Sequence, residues 1–135
     1  LLQDLRAELS LTYLFISHDL SVIRHICDRV AVMYLGEIVE ISDRASLFAA
    51  PRHPYTQALL ASIPHVGEGK RMFRPVAGDV PSPTNPPPGC RFSTRCPHVM
   101  PVCRTTSPPL QAVSPTQAAA CHLLASPLPN DKAMP

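Results

Sequence analysis

Apolar positions organise the first fifty residues and lose their hold on the rest. Leu1, Leu2, Leu5 and Leu9 recur at helical spacing, which predicts an amphipathic helix over residues 1–9. Residues 11–17 (LTYLFIS) form a continuous apolar, aromatic and β-branched run, the pattern of a buried strand. Asp19 is placed to cap a helix carrying Leu20, Val22, Ile23 and Ile26. Residues 30–35 (VAVMYL) predict another strand, which Gly36 breaks, and residues 37–41 (EIVEI) alternate as a hairpin partner would. A short helix over residues 42–50 closes before Pro51. The order helix, strand, helix, strand, strand, helix fits one edge of an α/β domain. Fifty residues bury little core alone. With Leu-Leu at its start, the segment reads as the end of a domain that begins upstream.

Proline divides the chain. None of the 17 prolines lies in residues 1–50, so residues 51–135 carry one in five. Pro fixes φ and removes a backbone donor, and regular helices and central strands do not tolerate that density. Residues 51–66 still predict a helix, opened by Pro51-Arg52-His53-Pro54-Tyr55, with Ala58, Leu59, Leu60 and Ile63 apolar and Pro64 as its stop. His53 and Tyr55 are expected to be structural. Residues 67–124 read as an irregular Pro/Cys-rich extension, and residues 125–135 as a disordered tail.

Charge adds exclusions. Twelve basic and ten acidic residues give +2, with no basic stripe to track phosphates, and aromatics are 5% with no Trp. Nucleic acid is therefore not an expected partner. No apolar run reaches the ~18 residues of a membrane span, and the start lacks a signal-peptide layout.

Two constellations carry chemistry. His18 follows the apolar run of residues 11–17, and the C-terminal ends of strands in open α/β sheets are where ligands sit. A His there can donate to a phosphate oxygen or orient a water; spacing alone leaves open a capping turn with an incidental His. Four of the five cysteines, Cys90, Cys96, Cys103 and Cys121, are spaced C-x5-C-x6-C-x17-C. Disulfides, zinc and an iron–sulfur cluster compete for them. A reducing compartment disfavours the first, the lack of tight C-x2-4-C pairs disfavours the second, and variable spacing with a Pro after Cys96 suits the third. His98 and His122 adjoin ligands without being needed as such. Arg91, Arg95 and Arg104 either offset cluster charge or lie on the surface, and Cys27 is read as a small core residue.

Residues 11–40 (LTYLFISHDLSVIRHICDRVAVMYLGEIVE) resemble the switch-histidine region of ABC transporter ATPases, most closely the ATP-binding subunits of oligopeptide and dipeptide importers. The resemblance continues through PRHPYTQALLASIP and VPSPTNPPPGCRFSTRCPHVMPVC, and covers roughly residues 1–124. It implies a partial P-loop-type ATPase domain, its last strands and helices only, in residues 1–50. His18 becomes the switch-loop histidine that contacts the γ-phosphate. The GCRF, RCP and CH elements imply a [4Fe–4S] cluster on Cys90, Cys96, Cys103 and Cys121, with zinc as the alternative and residues 78–124 disordered without metal. Implied partners are a second ATP-binding subunit, membrane permeases and, indirectly, a peptide-binding protein, at the cytoplasmic face of a membrane.

The departures are equally specific. No G-x-x-x-x-G-K-[ST] loop, no LSGGQ-type signature and no strand ending in Asp-Glu occurs, so the groups that cradle phosphates and hold Mg²⁺ are absent from this sequence. ATP and Mg²⁺ are expected only in a complete subunit. A stand-alone cluster-binding module, or the inert product of a truncated gene, are the competing expectations.

Overall fold

The computed structural model describes residues 2–63 and 78–125; the expectations for residues 64–77 and for the tail from residue 126 lie outside the described residues. Helix α1 (Leu2–Leu9) and helix α2 (Leu20–Ile26) precede strands β1 (Arg29–Tyr34) and β2 (Glu37–Asp43). Helices α3 (Arg44–Ala49) and α4 (Pro54–Ala61) follow, then α5 (Pro101–Thr105), strands β3 (Gln111–Ser114) and β4 (Gln117–Ala119), and a 3-10 turn His122–Ala125. One antiparallel sheet holds all four strands in the order β1-β2-β4-β3.

Local chemistry accounts for most of these elements. Asp19 caps α2, its carboxylate accepting from the Ser21 and Val22 amides at 2.8 and 3.4 Å, which satisfies donors that a helix start leaves open. The β1–β2 turn holds Leu35 and Gly36 at φ 46° and 81°, the two positive values that a tight hairpin needs. In β2, Val32 pairs with Glu40 but Met33 pairs with Ile38, so Val39 is a bulged extra residue. The bulge lets Val39 and Glu40, adjacent in sequence, both be buried (4% and 0% exposed).

The core gathers Ile23, Val30, Val32, Tyr34, Val39, Leu47 and Phe92. Leu47 is fully buried, worth about 1.5–3 kcal/mol relative to leaving it in water. Cys27, at the C-cap of α2, packs against this core.

Two expectations are corrected, and a third element differs in how it is held. Residues 11–17 form no strand: they pair with none of the described strands, and Leu14 and Ile16 are 92% and 88% exposed. An apolar run is a strand only where neighbours bond its backbone and cover its faces. Helix α1 forms as expected, but no residue of it is buried; it is tied down by Gln3, which donates to the His25 carbonyl at 2.8 Å, and by an Arg6–Asp28 ion pair. The Pro/Cys-rich extension is turn and loop over residues 78–100, yet α5, β3 and β4 form within it, and β4 pairs with β2.

Candidate functional site

His18 lies between the extended run and α2, in a bend whose geometry comes from its neighbours. The Asp19 amide donates to Ser17 Oγ at 2.9 Å while the Asp19 carboxylate caps the helix. His18 itself is solvent-exposed. The sequence thus sets an imidazole on the rim of a capped helix, where it can meet a ligand without first leaving a packed core.

The second site is built from the cysteine loops, held to the sheet by an aromatic cluster. Phe92, 1% exposed, stands edge-on to Tyr34 at 5.3 Å and lies 5.4 Å from Tyr55 and 5.8 Å from His53 between ring centroids. Tyr34 and Tyr55 are themselves 4.6 Å apart. Tilted and edge-to-face pairs of this kind add roughly 0.5–1.5 kcal/mol each beyond their area. The His-Pro-Tyr segment therefore works as packing, as expected, and the partner it packs against is the phenylalanine of GCRF. Burial pushes the Tyr55 phenol above its usual range, the nearby Tyr34 adds to the shift, and Arg95 opposes it. Arg91 forms an ion pair with Glu37 at 2.9 Å, which ties the loop to the β1–β2 hairpin.

All five cysteines are free thiols. Cys103 and Cys121 are buried, and Cys90 and Cys96 partly so. The Cys90 amide donates to the Cys103 carbonyl at 2.8 Å, so two of the expected ligand segments run side by side. Cys121 feels the charge of Cys96, Cys90 and Cys103, and Cys96 that of Cys103. Burial raises the thiols of Cys90, Cys96 and Cys121, the last to about 11. Against that shift, the Phe92, His98 and Leu123 amides, each two residues on, hydrogen-bond to Cys90, Cys96 and Cys121 respectively and favour the thiolate. Such donors to sulfur also tune cysteine-ligated clusters. Sulfur donors are the type that a thiolate-bound metal group takes. Among the described residues, however, no three His, Cys, Asp or Glu side chains close into the geometry of a metal-ion site. His122 is engaged elsewhere, its Nε2 lying 2.9 Å from the Thr106 carbonyl.

Sequence reasoning missed Glu40. In the alternating EIVEI run it reads as a solvent-facing acid, yet it is fully buried. Its carboxylate accepts from the Arg52 amide at 2.8 Å, the His53 amide at 2.9 Å and Gln117 Nε2 at 2.9 Å. Among the described residues no cation pairs with it; three neutral N–H groups satisfy the buried carboxyl. Beside it, desolvation lowers the His53 pKa to about 4, with Glu40 opposing. The neutral His53 ring caps α4 through Nδ1, which accepts from the Tyr55 amide at 3.1 Å. No local signal marks Glu40, because its partners sit 12, 13 and 77 positions away.

Residues 39–103 match the family described as oligopeptide/dipeptide transporter, C-terminal region. Over 126 residues the chain is 51% identical to an oligopeptide transport ATP-binding protein of Bacillus subtilis, covering 91% of this chain and 38% of that protein. It is 53% identical over 122 residues to a putative peptide import ATP-binding protein of Brucella ovis, covering 90% and 38%. A probable peptide ABC transporter ATP-binding protein of Sinorhizobium fredii is 52% identical over 126 residues, covering 93% and 36%. The chain thus spans less than two fifths of the length of these relatives. No described helix is long and apolar enough to cross a membrane.

Proposed function

We propose that this chain, whose residues 39–103 belong to the oligopeptide/dipeptide transporter C-terminal region, is the C-terminal portion of the ATP-binding subunit of a peptide ABC importer. In the complete subunit it helps energise transport by ATP hydrolysis. The observation that carries this reading is identity above 50%, over about nine tenths of the chain, to proteins described as peptide import ATP-binding proteins. The partners are then a second ATP-binding subunit, membrane permeases and, through them, a peptide-binding protein, with the subunit peripheral at the cytoplasmic face.

His18 is the γ-phosphate contact in this reading. Its exposure and its place at the start of a capped helix support the role, since a positioned imidazole donates to phosphate or orients water only where both can reach it. ATP and Mg²⁺ require the phosphate loop, signature and Asp-Glu strand, which this sequence does not contain. Phosphoryl transfer rests on positioning and charge stabilisation, so the chain alone neither binds ATP tightly nor hydrolyses it.

Cys90, Cys96, Cys103 and Cys121 are the ligands of a [4Fe–4S] cluster in the same reading, with zinc as the alternative. Free thiols in one patch and three amide donors to sulfur support it. Bound there, the group supplies folding free energy by gathering the loops.

The test is a complete subunit reconstituted with its permeases in proteoliposomes. Replacing His18 with Ala is expected to slow ATP hydrolysis by about a hundredfold or more, while nucleotide affinity and thermal unfolding stay near wild type. Unchanged turnover would remove His18 from the reaction, and lack of ATP-dependent peptide uptake by the wild-type complex would overturn the importer reading. Iron, sulfide and zinc analysis of anaerobically produced protein decides the metal: one zinc without iron selects the alternative.

A further inference from the structure

A third surface belongs to neither site. Arg24 and His25, from the last turn of α2, and Arg44, Ala45, Phe48 and Ala49 of α3 line an open cleft of about 430 Å³. The Arg24 guanidinium lies over the Phe48 ring, 5.4 Å from its centroid, a cation–π contact that fixes the group while leaving its N–H edges for a ligand. Arg44 runs alongside, Nη1 donating to the Arg24 carbonyl at 3.4 Å. His25 donates Nδ1–H to the Ser21 carbonyl at 2.7 Å, which leaves Nε2 for a ligand. Gln3 covers the His25 carbonyl. The Arg24 and His25 carbonyls are therefore engaged, and the charged side chains of the lining present donors.

The nearby carboxylates are engaged as well. Asp28 pairs with Arg6, and Asp43 caps α3 by accepting from the Ser46 amide at 2.9 Å. No acidic side chain lines the cleft, and among the described residues neither Arg24 nor Arg44 is ion-paired. Two cations lining one cleft repel one another and favour an anion between them. On the floor, Ala45, Phe48 and Ala49 follow helical spacing and make one apolar strip.

We propose that this cleft docks an acidic peptide segment of a partner protein. A carboxylate of the segment bridges Arg24 and Arg44, and an adjacent apolar side chain lies on Phe48, Ala45 and Ala49. Charge complementarity selects the acid. The apolar floor selects a peptide over a bare anion, which would leave it uncovered. The inference depends on neither His18 nor the cysteines, so its failure leaves the importer reading untouched.

Amide and arginine side-chain NMR of the full 135-residue chain tests it, with a capped peptide of alternating Glu and Leu as probe. Shift changes are expected at Arg24, His25, Arg44 and Phe48, weakening several-fold between about 0.05 and 0.5 M salt. The R24E/R44E variant, altered only at exposed positions, is expected to bind about tenfold or more weakly, and F48A several-fold more weakly. Unmoved signals at these four residues with millimolar peptide overturn the proposal on the wild-type chain alone, whatever the variants do. So does R24E/R44E binding at wild-type strength, inorganic phosphate binding as tightly as the peptide, or a preference for phosphatidylglycerol vesicles.

Discussion

Gln117 donates its side-chain amide to Glu40 at 2.9 Å across 77 positions of sequence, and the same nitrogen donates to the Ala50 carbonyl at 3.0 Å. One side chain thereby joins β4, β2 and the end of α3 around a buried carboxylate. Loss of that donor leaves Glu40 short of one bond in a dry site, where an unmet polar group costs about 1–3 kcal/mol. Gln117→Leu is expected to destabilise the chain by that amount. Gln117→Glu is expected to cost more, since it sets a second carboxylate against the first. Urea unfolding of the three proteins checks both. Equal midpoints for wild type and Gln117→Leu would show that the latch carries no stability.

His53 should write itself into the acid limb of the stability curve. Its folded pKa, near 4, lies below the ordinary 6.5 because burial penalises the cation. The unfolded chain therefore takes up this proton first as pH falls. Stability is full above about 6.5 and declines toward 4, at up to about 1.4 kcal/mol per pH unit for one proton. Asp43 acts lower: hydrogen bonds from Ser46 and Thr116 hold it at about 2 against 3.8, so its contribution is lost as pH falls from 3.8 toward 2. His53→Asn, which keeps a capping acceptor, is expected to flatten the upper phase and leave the lower one. Urea midpoints measured from pH 7 to pH 3 separate the two.

Thr56 offers the opposite sign. It is 1% exposed, and its hydroxyl has no hydrogen-bond partner among the described residues. An unpaired buried hydroxyl contributes desolvation cost and little else. Thr56→Val, nearly the same shape, is expected to be neutral or to stabilise by up to about 1 kcal/mol. Calorimetry that finds a loss above about 1 kcal/mol would mean that this hydroxyl is hydrogen-bonded after all.

What the sequence made legible follows from how local each determinant is. Asp19, two residues from its target amide, and the Gly36 break between two apolar runs were both readable, as was the packing role of His53 and Tyr55; that Leu35 belongs to the turn was not. Val39 as a bulge was not, because bulging depends on the register with β1. Strands β3 and β4 lack the alternation of large apolar side chains, being QAVS and QAA around Pro115-Thr116, and exist through pairing, β4 with β2 and β3 with β4. Residues 11–17 failed in the opposite sense: their composition is that of a strand, but a strand is a property of its neighbours. At the candidate sites, residue types and spacing singled out His18 and the four cysteines without deciding their roles, which came from the family resemblance. Nothing local pointed to Glu40 or to the Phe92 cluster that anchors the cysteine loops.

Gly89 is where backbone geometry and the cysteine patch meet. A Cβ there would stand 2.4 Å from the Cys103 carbonyl oxygen and 2.8 Å from backbone atoms of Arg104 and Thr105. Because all three are main-chain atoms, the strain cannot be relieved by turning a side chain; the α5 segment has to move. Its movement breaks the bond from the Cys90 amide to the Cys103 carbonyl and separates two proposed ligands. Gly89→Ala is therefore expected to lower the metal bound per chain, while Cys27→Ala, outside the proposed ligand set, keeps full metal content. Hydrogen exchange on metal removal should follow the same division. Amides of residues 90–106 lose protection, whereas Ala118 and Ala119 keep theirs, because β4 is held by its pairing with β2 and by Gln117 on Glu40. The sequence alone predicted disorder through residue 124; with this latch, the expected disorder is confined to the loops. Equal metal content in Gly89→Ala and wild type would show that the close approach of these two backbones has no part in gathering the thiolates.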